Sequence, residues 1–462
     1  LGVADDDAGD AGNGGTIDGP SDSRVVGWAQ LSPAIWCAGK GMLPPLQAIL
    51  YYVERRVIGS PLCEGAHRSM TVGVTGGGRE RDLRLDFFRG LALFSIFIDH
   101  VPDVVFGAFT IRFTGLYDAA EVFIFISGYT AGLVYGRVLQ TEGAFSATLR
   151  IYHRVWQLYV AHVFLFMMFM ALVGHMAGPL VNPLYVEEFR ATDFLRDPGT
   201  TVIMALILRF QPAFMDILPL YIVLLAVLPL FMMALRWWWP IALGCSFALW
   251  FAVQLDNGLN LPAYPGARNT WFFNPLAWQF LFLFGAFLGW SRNVGKDAWL
   301  NSRLLLVVAA FVAVLGFVVR FNWTLHYFHD PIPALGAKLL WPALSKTDLS
   351  ALRLVNLLCT SLVVTTVIRH GMPFLASRLA WPLVVCGRHS LHIFCLGILL
   401  SVVAHLILSE YGASAAMQVV VTLGGIALMT AVAALMEWFP GGRVMRRDQG
   451  ARAAAGGERA RK

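Results

Sequence analysis

The stretch Asp86-Phe-Phe-Arg-Gly-Leu-Ala-Leu-Phe-Ser-Ile-Phe-Ile-Asp-His100 decides how the rest of the chain is read. Its middle is an apolar run, yet an aspartate and an arginine open it and an aspartate and a histidine close it. On a helix, Asp86, Arg89, Leu93, Ile96 and His100 fall on one stripe, at steps of three and four. Arg89 and His100 share that face and stand roughly 16 Å apart along the axis. A charge at the centre of a membrane span costs about 2.5–3.5 kcal/mol on insertion scales. A helix carrying Asp86, Arg89, Asp99 and His100 must therefore turn this face to a bundle interior or a water-filled cavity.

The whole composition points to lipid as the solvent. Of 462 residues, 57% are hydrophobic and only 14% charged, against about a quarter charged in soluble domains. A mean hydropathy of +0.63 over this length is too apolar for a water-soluble core. The net charge of +6 is spread in short clusters between apolar runs, so it argues for membrane topology and against nucleic acid. Cys37, Cys63, Cys245, Cys359, Cys386 and Cys395 show no paired spacing, and four lie in apolar stretches as small packing residues.

The expected fold is all-α, a polytopic transmembrane bundle of about ten spans. Candidate spans are 84–107, 119–138, 152–174, 217–236, 239–255, 272–291, 303–320, 351–369, 381–408 and 415–438. A shorter segment, 200–210, ends at Gln211-Pro212 and reads as a half-helix. Residues 1–80 form a poorly defined leader: 1–35 are too rich in Gly, Asp and Ser to bury a core. The stretch Met42–Val53 is too short to span and is not followed by a signal-peptide cleavage pattern. Residues 81–440 are the membrane domain and 441–462 a disordered basic tail. Arg84, Arg137, Arg150, Arg154, Arg236, Arg292, Arg303, Arg369 and Arg443 all fall on one side of a ten-span bundle. That side should be cytoplasmic, with both termini inside. The loop 321–350, with Lys338 and Lys346, fits this least well.

The second span opens Asp118-Ala-Ala-Glu121. Gly128, Gly132 and Gly136 on it make overlapping small-xxx-small motifs. Glu121 lies seven residues before Gly128, shares that face, and should point into the bundle beside the first span. Asp216 sits between Pro212 and Pro219, where helical bonding is broken. Asn274 and Gln279 open the sixth span, Lys346 and Asp348 the eighth, and Arg388, His389 and His392 interrupt the ninth. Together these suggest a polar chamber reaching the outer side, with Asp86, Asp216, Gln279 and Lys346 as candidate substrate-binding residues. No phosphate loop, dinucleotide fingerprint or His-Glu-x-x-His appears. His326 and His329 read as a solvated loop, and no metal site is expected.

Five phrases in order carry a resemblance: Arg-Leu-Asp-Phe-Phe-Arg-Gly (84–90), Ala-Glu-Val-Phe-Ile-Phe-Ile-Ser-Gly-Tyr-Thr (120–130), Asp-Ile-Leu-Pro-Leu-Tyr (216–221), Asn-Pro-Leu-Ala-Trp-Gln (274–279) and His-Ser-Leu-His-Ile-Phe-Cys-Leu-Gly (389–397). From Leu83 to Pro440 the chain resembles the OpgC family of glucan-modifying proteins, within the membrane-bound acyltransferase-3 superfamily. The resemblance implies an O-acyltransferase of a bacterial inner membrane. It would take an acyl group, typically succinyl, from cytoplasmic acyl-CoA to a hydroxyl of a periplasmic osmoregulated glucan. Acyl-CoA would be a co-substrate, with no tightly bound cofactor.

On this reading His100 is the general base on the sugar hydroxyl, and Asp99 or Asp103 orients its imidazole. Arg89 organises the cavity floor or holds the acyl carboxylate, and Glu121 keeps the first span in register. Arg150, Arg154 and Arg303 are candidates for the CoA phosphates. A secondary transporter would use buried charges and broken helices equally well, and an assembly partner without chemistry would leave His100 replaceable. The acyl group, the acceptor and the oligomeric state are not legible in the sequence.

Overall fold

The computed structural model describes residues 82–102, 104–177, 189–256, 258–266, 269–329 and 333–439. These belong to the compact unit that begins at Arg81. The expected leader and tail, and Cys37, Cys63 and Asp103, lie outside the described residues.

Among the described residues the chain is all-helical, with one isolated bridge between Pro262 and Thr270. The principal helices are α1 (Leu83–Asp99), α2 (Ala119–Thr141), α3 (Ala144–Ala177), α4 (Ile217–Leu255), α5 (Pro275–Asn293), α6 (Arg303–Phe328), α7 (Ala351–Val367), α8 (Trp381–Arg388), α9 (Ser390–Tyr411) and α10 (Ala415–Trp438). Six of them, α2, α3, α4, α6, α9 and α10, are long and apolar enough to cross a membrane. Their starts follow the usual chemistry of orphan amide donors. The Asp82, Asn274, Ser302 and Ser414 side chains cap α1, α5, α6 and α10. At α2, Asp118 accepts from Ala120 while Glu121 reaches back to the Asp118 amide, a capping box.

Helices of this kind gain little from excluding water and associate instead through close packing at small residues. A Cβ at Gly128 or Gly132 would fall on the Phe282 or Ala286 carbonyl, and one at Gly289 on the Tyr129 carbonyl. The glycine face of α2 therefore lies backbone to backbone on α5. This corrects the expectation that it would lie beside the first span. That span has its own reciprocal pair, Gly90 against Leu383 and Gly387 against Asp86, which joins α1 to α8.

Three boundaries differ from expectation. The first helix ends at Asp99 rather than near residue 107, because Pro102 disfavours helical backbone at Val101. The segment 381–408 is two helices, not one. In α8, Gly387 meets Asp86 and Leu383 meets Gly90, so α8 runs against the start of α1. The chain then bends at His389, and α9 accompanies α1 outward, with Ser401 bonded to the Phe97 carbonyl. The 39-residue α4 is broken at Trp238 (φ −155°, ψ 92°). Tyr221 touches Phe282, whereas Trp239 stacks on Phe287 and Trp250 returns to Phe280. Its two arms are thus antiparallel and match the expected segments 217–236 and 239–255. The half-helix expected at 200–210 is Pro198–Leu206.

All these contacts assign two ends to the bundle. Arg84, Arg137, Arg154, Arg236, Arg292 and Arg369 gather at one, the basic end. Asp99, Asp118, Asp216, Asn274 and Lys346 gather at the other, the far end.

Candidate active site

The far end holds a network of four charges, the buried acids Asp118 and Glu121 and the half-buried cations Lys346 and Arg353. Lys346 Nζ lies 2.7 Å from Asp118 Oδ2, and Arg353 Nη2 lies 3.2 Å from the same oxygen. Arg353 also grips Glu121, its Nε at 2.5 Å. Glu121 is fully buried. Burial pushes Asp118 toward the neutral acid, but the charges of Lys346 and Arg353 and the bond with Glu121 outweigh it and hold this carboxyl well below the usual range. Glu121 thus pins α2 to α7 rather than to α1.

The loop carrying Lys346 is held rigidly. Trp278 Nε1 donates to the carbonyls of Lys346 and Thr347, both at 3.1 Å. Trp250 donates to the Leu349 carbonyl and Gln254 to the Asp348 carbonyl. Asn274 Nδ2 donates to Asp348 at 3.0 Å. The Asn274–Gln279 phrase is therefore a cradle for this loop. Gln279 itself accepts from Ser246 at 2.6 Å and donates to the Ser246 and Leu276 carbonyls. Its amide is engaged in stapling α5 to the second arm of α4.

His100 caps the C-terminus of α1. Its Nδ1 is 2.6 Å from the Ile96 carbonyl. A carbonyl only accepts, so Nδ1 carries the proton and Nε2 the lone pair. Among the described residues Nε2 has no hydrogen-bond partner. Of the two carboxylates expected to orient it, Asp103 lies outside the described residues and Asp99 is engaged elsewhere: Thr110 donates to it at 2.8 Å and Arg112 lies 3.6 Å away. The ring meets Phe214 edge-on, centroids 4.8 Å apart. Lys346, Asp118 and Arg112 lie within electrostatic range.

Two residues beside the site hold left-handed backbone, Phe214 (φ 70°) and Leu349 (φ 46°). Side chains of this bulk seldom adopt it, and it costs on the order of 1–3 kcal/mol each. Asp216, just before α4, has a buried Oδ1 with no partner among the described residues. It does not cap the helix it precedes. Burial, opposed by Arg190 and Lys346, pushes its carboxyl up to about 7.

Arg89 sits apart from His100. It donates to Thr130 at 2.8 Å, and Asp86 lies 3.9 Å from both Arg89 and Arg388. Arg388 in turn binds Glu437. Arg89 and Arg154 line one cavity of about 160 Å³ with Thr130, Tyr135 and Tyr221, reaching to Phe123 and Leu218. Arg150 pairs with Glu142 at 2.6 Å, and Arg303 is exposed at the start of α6; neither lines that cavity.

Of the expected residues, the structure gathers Asp99, His100, Glu121, Asp216 and Lys346 at the far end, and Asp86, Arg89 and Arg154 toward the basic end. Sequence reasoning missed Arg353. The signal was available, since an arginine just inside an apolar span needs a buried acid for a partner.

The model of the OpgC protein family matches residues 81–441, which takes in every helix described above. The chain belongs to the OpgC protein family. No curated protein and no solved structure matches it. Membership in the OpgC family points to a transferase that modifies glucan, and the apolar helices make this member a multi-pass membrane protein.

Proposed function

We propose that the chain is an O-acyltransferase, of the acyltransferase-3 type, that moves a succinyl group from cytoplasmic acyl-CoA to a hydroxyl of a periplasmic glucan. The observation that carries it is the tautomer of His100, whose Nδ1–H is spent on Ile96 and whose Nε2 lone pair is left for chemistry. Nε2 takes the proton of the sugar hydroxyl as its oxygen attacks the thioester carbonyl. The tetrahedral intermediate collapses, the carbon–sulfur bond breaks, and the thiolate leaves with the proton from the imidazolium. Asp216, with its unpaired oxygen, is placed to orient the acceptor.

The donor enters at the basic end. Arg154 and Arg89 in the core cavity supply its cations, and the acyl arm follows the cavity toward Phe123 and Leu218, along the stripe that leads from Arg89 to His100. With the arms of α4 counted separately and α8 taken as a helix that does not cross, the bundle has ten spans. Both termini then lie at the basic end, which the positive-inside rule makes cytoplasmic in a bacterial inner membrane. Family membership favours a transferase over a transporter.

Mass spectrometry of periplasmic glucans from a deletion strain tests this, with wild type or His100→Ala restored at matched membrane levels. An added succinyl mass with wild type is expected, falling by about 10²–10⁴-fold with His100→Ala. Equal acylation by both proteins removes the role given to His100. No acylation with wild type rejects the acceptor.

A further inference from the structure

A second, larger cavity takes no part in this chemistry. It is a groove of about 790 Å³ between α1, α2, α5, α6 and α7. Its walls are apolar side chains such as Phe88, Phe125, Phe284, Leu305 and Leu358. Along α7 it runs from Leu357 to Thr366, roughly 14 Å of helix. At the far end it stops at Thr114 and Tyr117, which bond to each other at 2.9 Å. At the basic end it opens between Arg84, Arg292 and Arg369.

Helix α1 separates this groove from the core cavity. Leu85, Phe88 and Leu91 face the groove, whereas Arg89 faces the core. A molecule in the groove therefore cannot present a thioester to His100. The cations at its mouth are not alike. Arg84 is paired with Asp82 at 2.7 Å and bonds the Ile368 carbonyl. Among the described residues Arg292 donates to the Tyr129 hydroxyl at 2.9 Å and forms no ion pair, although Asp297 also lines the groove. Arg369 is exposed at the end of α7. Two guanidinium groups thus stand over an apolar slot that ends inside the bundle.

An apolar slot with cations at one mouth fits a molecule with an acyl chain and an anionic head. Basic pockets between transmembrane helices at the cytoplasmic surface recognise phospholipid head groups in this way, and guanidinium matches phosphate in geometry as well as charge. We infer that the groove is a binding site for one anionic phospholipid of the leaflet at the basic end, its phosphate held by Arg292 and Arg369 and an acyl chain between α1, α2, α5 and α7. The lipid would tie the ends of α5 and α7 to α1.

Native mass spectrometry of the purified full chain tests the site without any transfer assay, with phosphatidylglycerol and phosphatidylcholine of identical chains as probes. Wild type is expected to retain one phosphatidylglycerol per chain and to prefer it over phosphatidylcholine. The double variant R292Q/R369Q should retain phosphatidylglycerol at least about tenfold less, and Thr365→Trp, which narrows the slot, should also lose it. Equal retention of both lipids by wild type overturns the inference and needs no variant. So does unchanged phosphatidylglycerol on R292Q/R369Q or Thr365→Trp. Displacement of the lipid by acyl-CoA would make the groove a donor entrance and overturns it as well.

Discussion

Two groups of polar residues share the far end and are treated oppositely by the fold. In Asp118, Glu121, Lys346 and Arg353, each charge has an opposite charge and a hydrogen bond. In His100 and Asp216, one polar atom each is left without a partner among the described residues. Burying an unpartnered polar group costs about 1–3 kcal/mol, and the fold leaves Asp216 Oδ1 in that state beside four charges that it satisfies. The satisfied group holds α2 to α7. On the proposed function these two atoms meet the acceptor sugar.

The comparison breaks first at Arg353. Arg353→Ala leaves Glu121 buried without its cation and should cost about 3–5 kcal/mol, read as a lower thermal midpoint in detergent. A double variant, Glu121→Leu with Arg353→Met, should recover much of the loss. If Arg353→Ala melts like wild type, the network is not structural. His100→Ala should do nearly the reverse, losing transfer while lowering the midpoint far less than Arg353→Ala, since it gives up one bond to the Ile96 carbonyl. A smaller effect is expected for Asn274→Ala, which removes the bond to Asp348 Oδ1 and uncaps α5. A loss of about 1–3 kcal/mol should appear in the melt, with faster proteolysis of the 345–350 loop. Smallest is Asp216→Asn: about tenfold slower transfer, from loss of one charged hydrogen bond to the acceptor, and no change in midpoint because this side chain caps nothing. A melt shift with unaltered transfer would move Asp216 into the structural group.

Much of this was legible in the sequence, for one reason. A charge in an apolar run is expensive, so Arg89, His100, Glu121 and Asp216 declared themselves. The break of α4 was also visible, as two apolar runs separated by Trp237-Trp238-Trp239-Pro240. What periodicity does not carry is the identity of the neighbour. The glycine stripe of α2 announced close approach and was silent on α5. Gln279 looked like a substrate ligand because no side chain of its own helix answers it; the side chain that does, Ser246, is on another. Asp99 was one of two carboxylates expected to serve His100; it points about 100° away from it on the helix and meets Thr110 and Arg112 instead. The bend at His389 was hidden because the apolar runs 381–386 and 393–400 read as one span across Arg388-His389-Ser390.

The bond between Glu121 and Arg353 spans 232 residues. At synthesis rates of about 5–20 residues per second, Glu121 enters the membrane roughly 10–50 seconds before its arginine exists. Throughout that interval Glu121 lacks its cation and keeps only the amide bond of its own capping box. Biogenesis of this protein thus has a built-in waiting period, during which the nascent bundle depends on water or on the insertion machinery to shelter one carboxyl group.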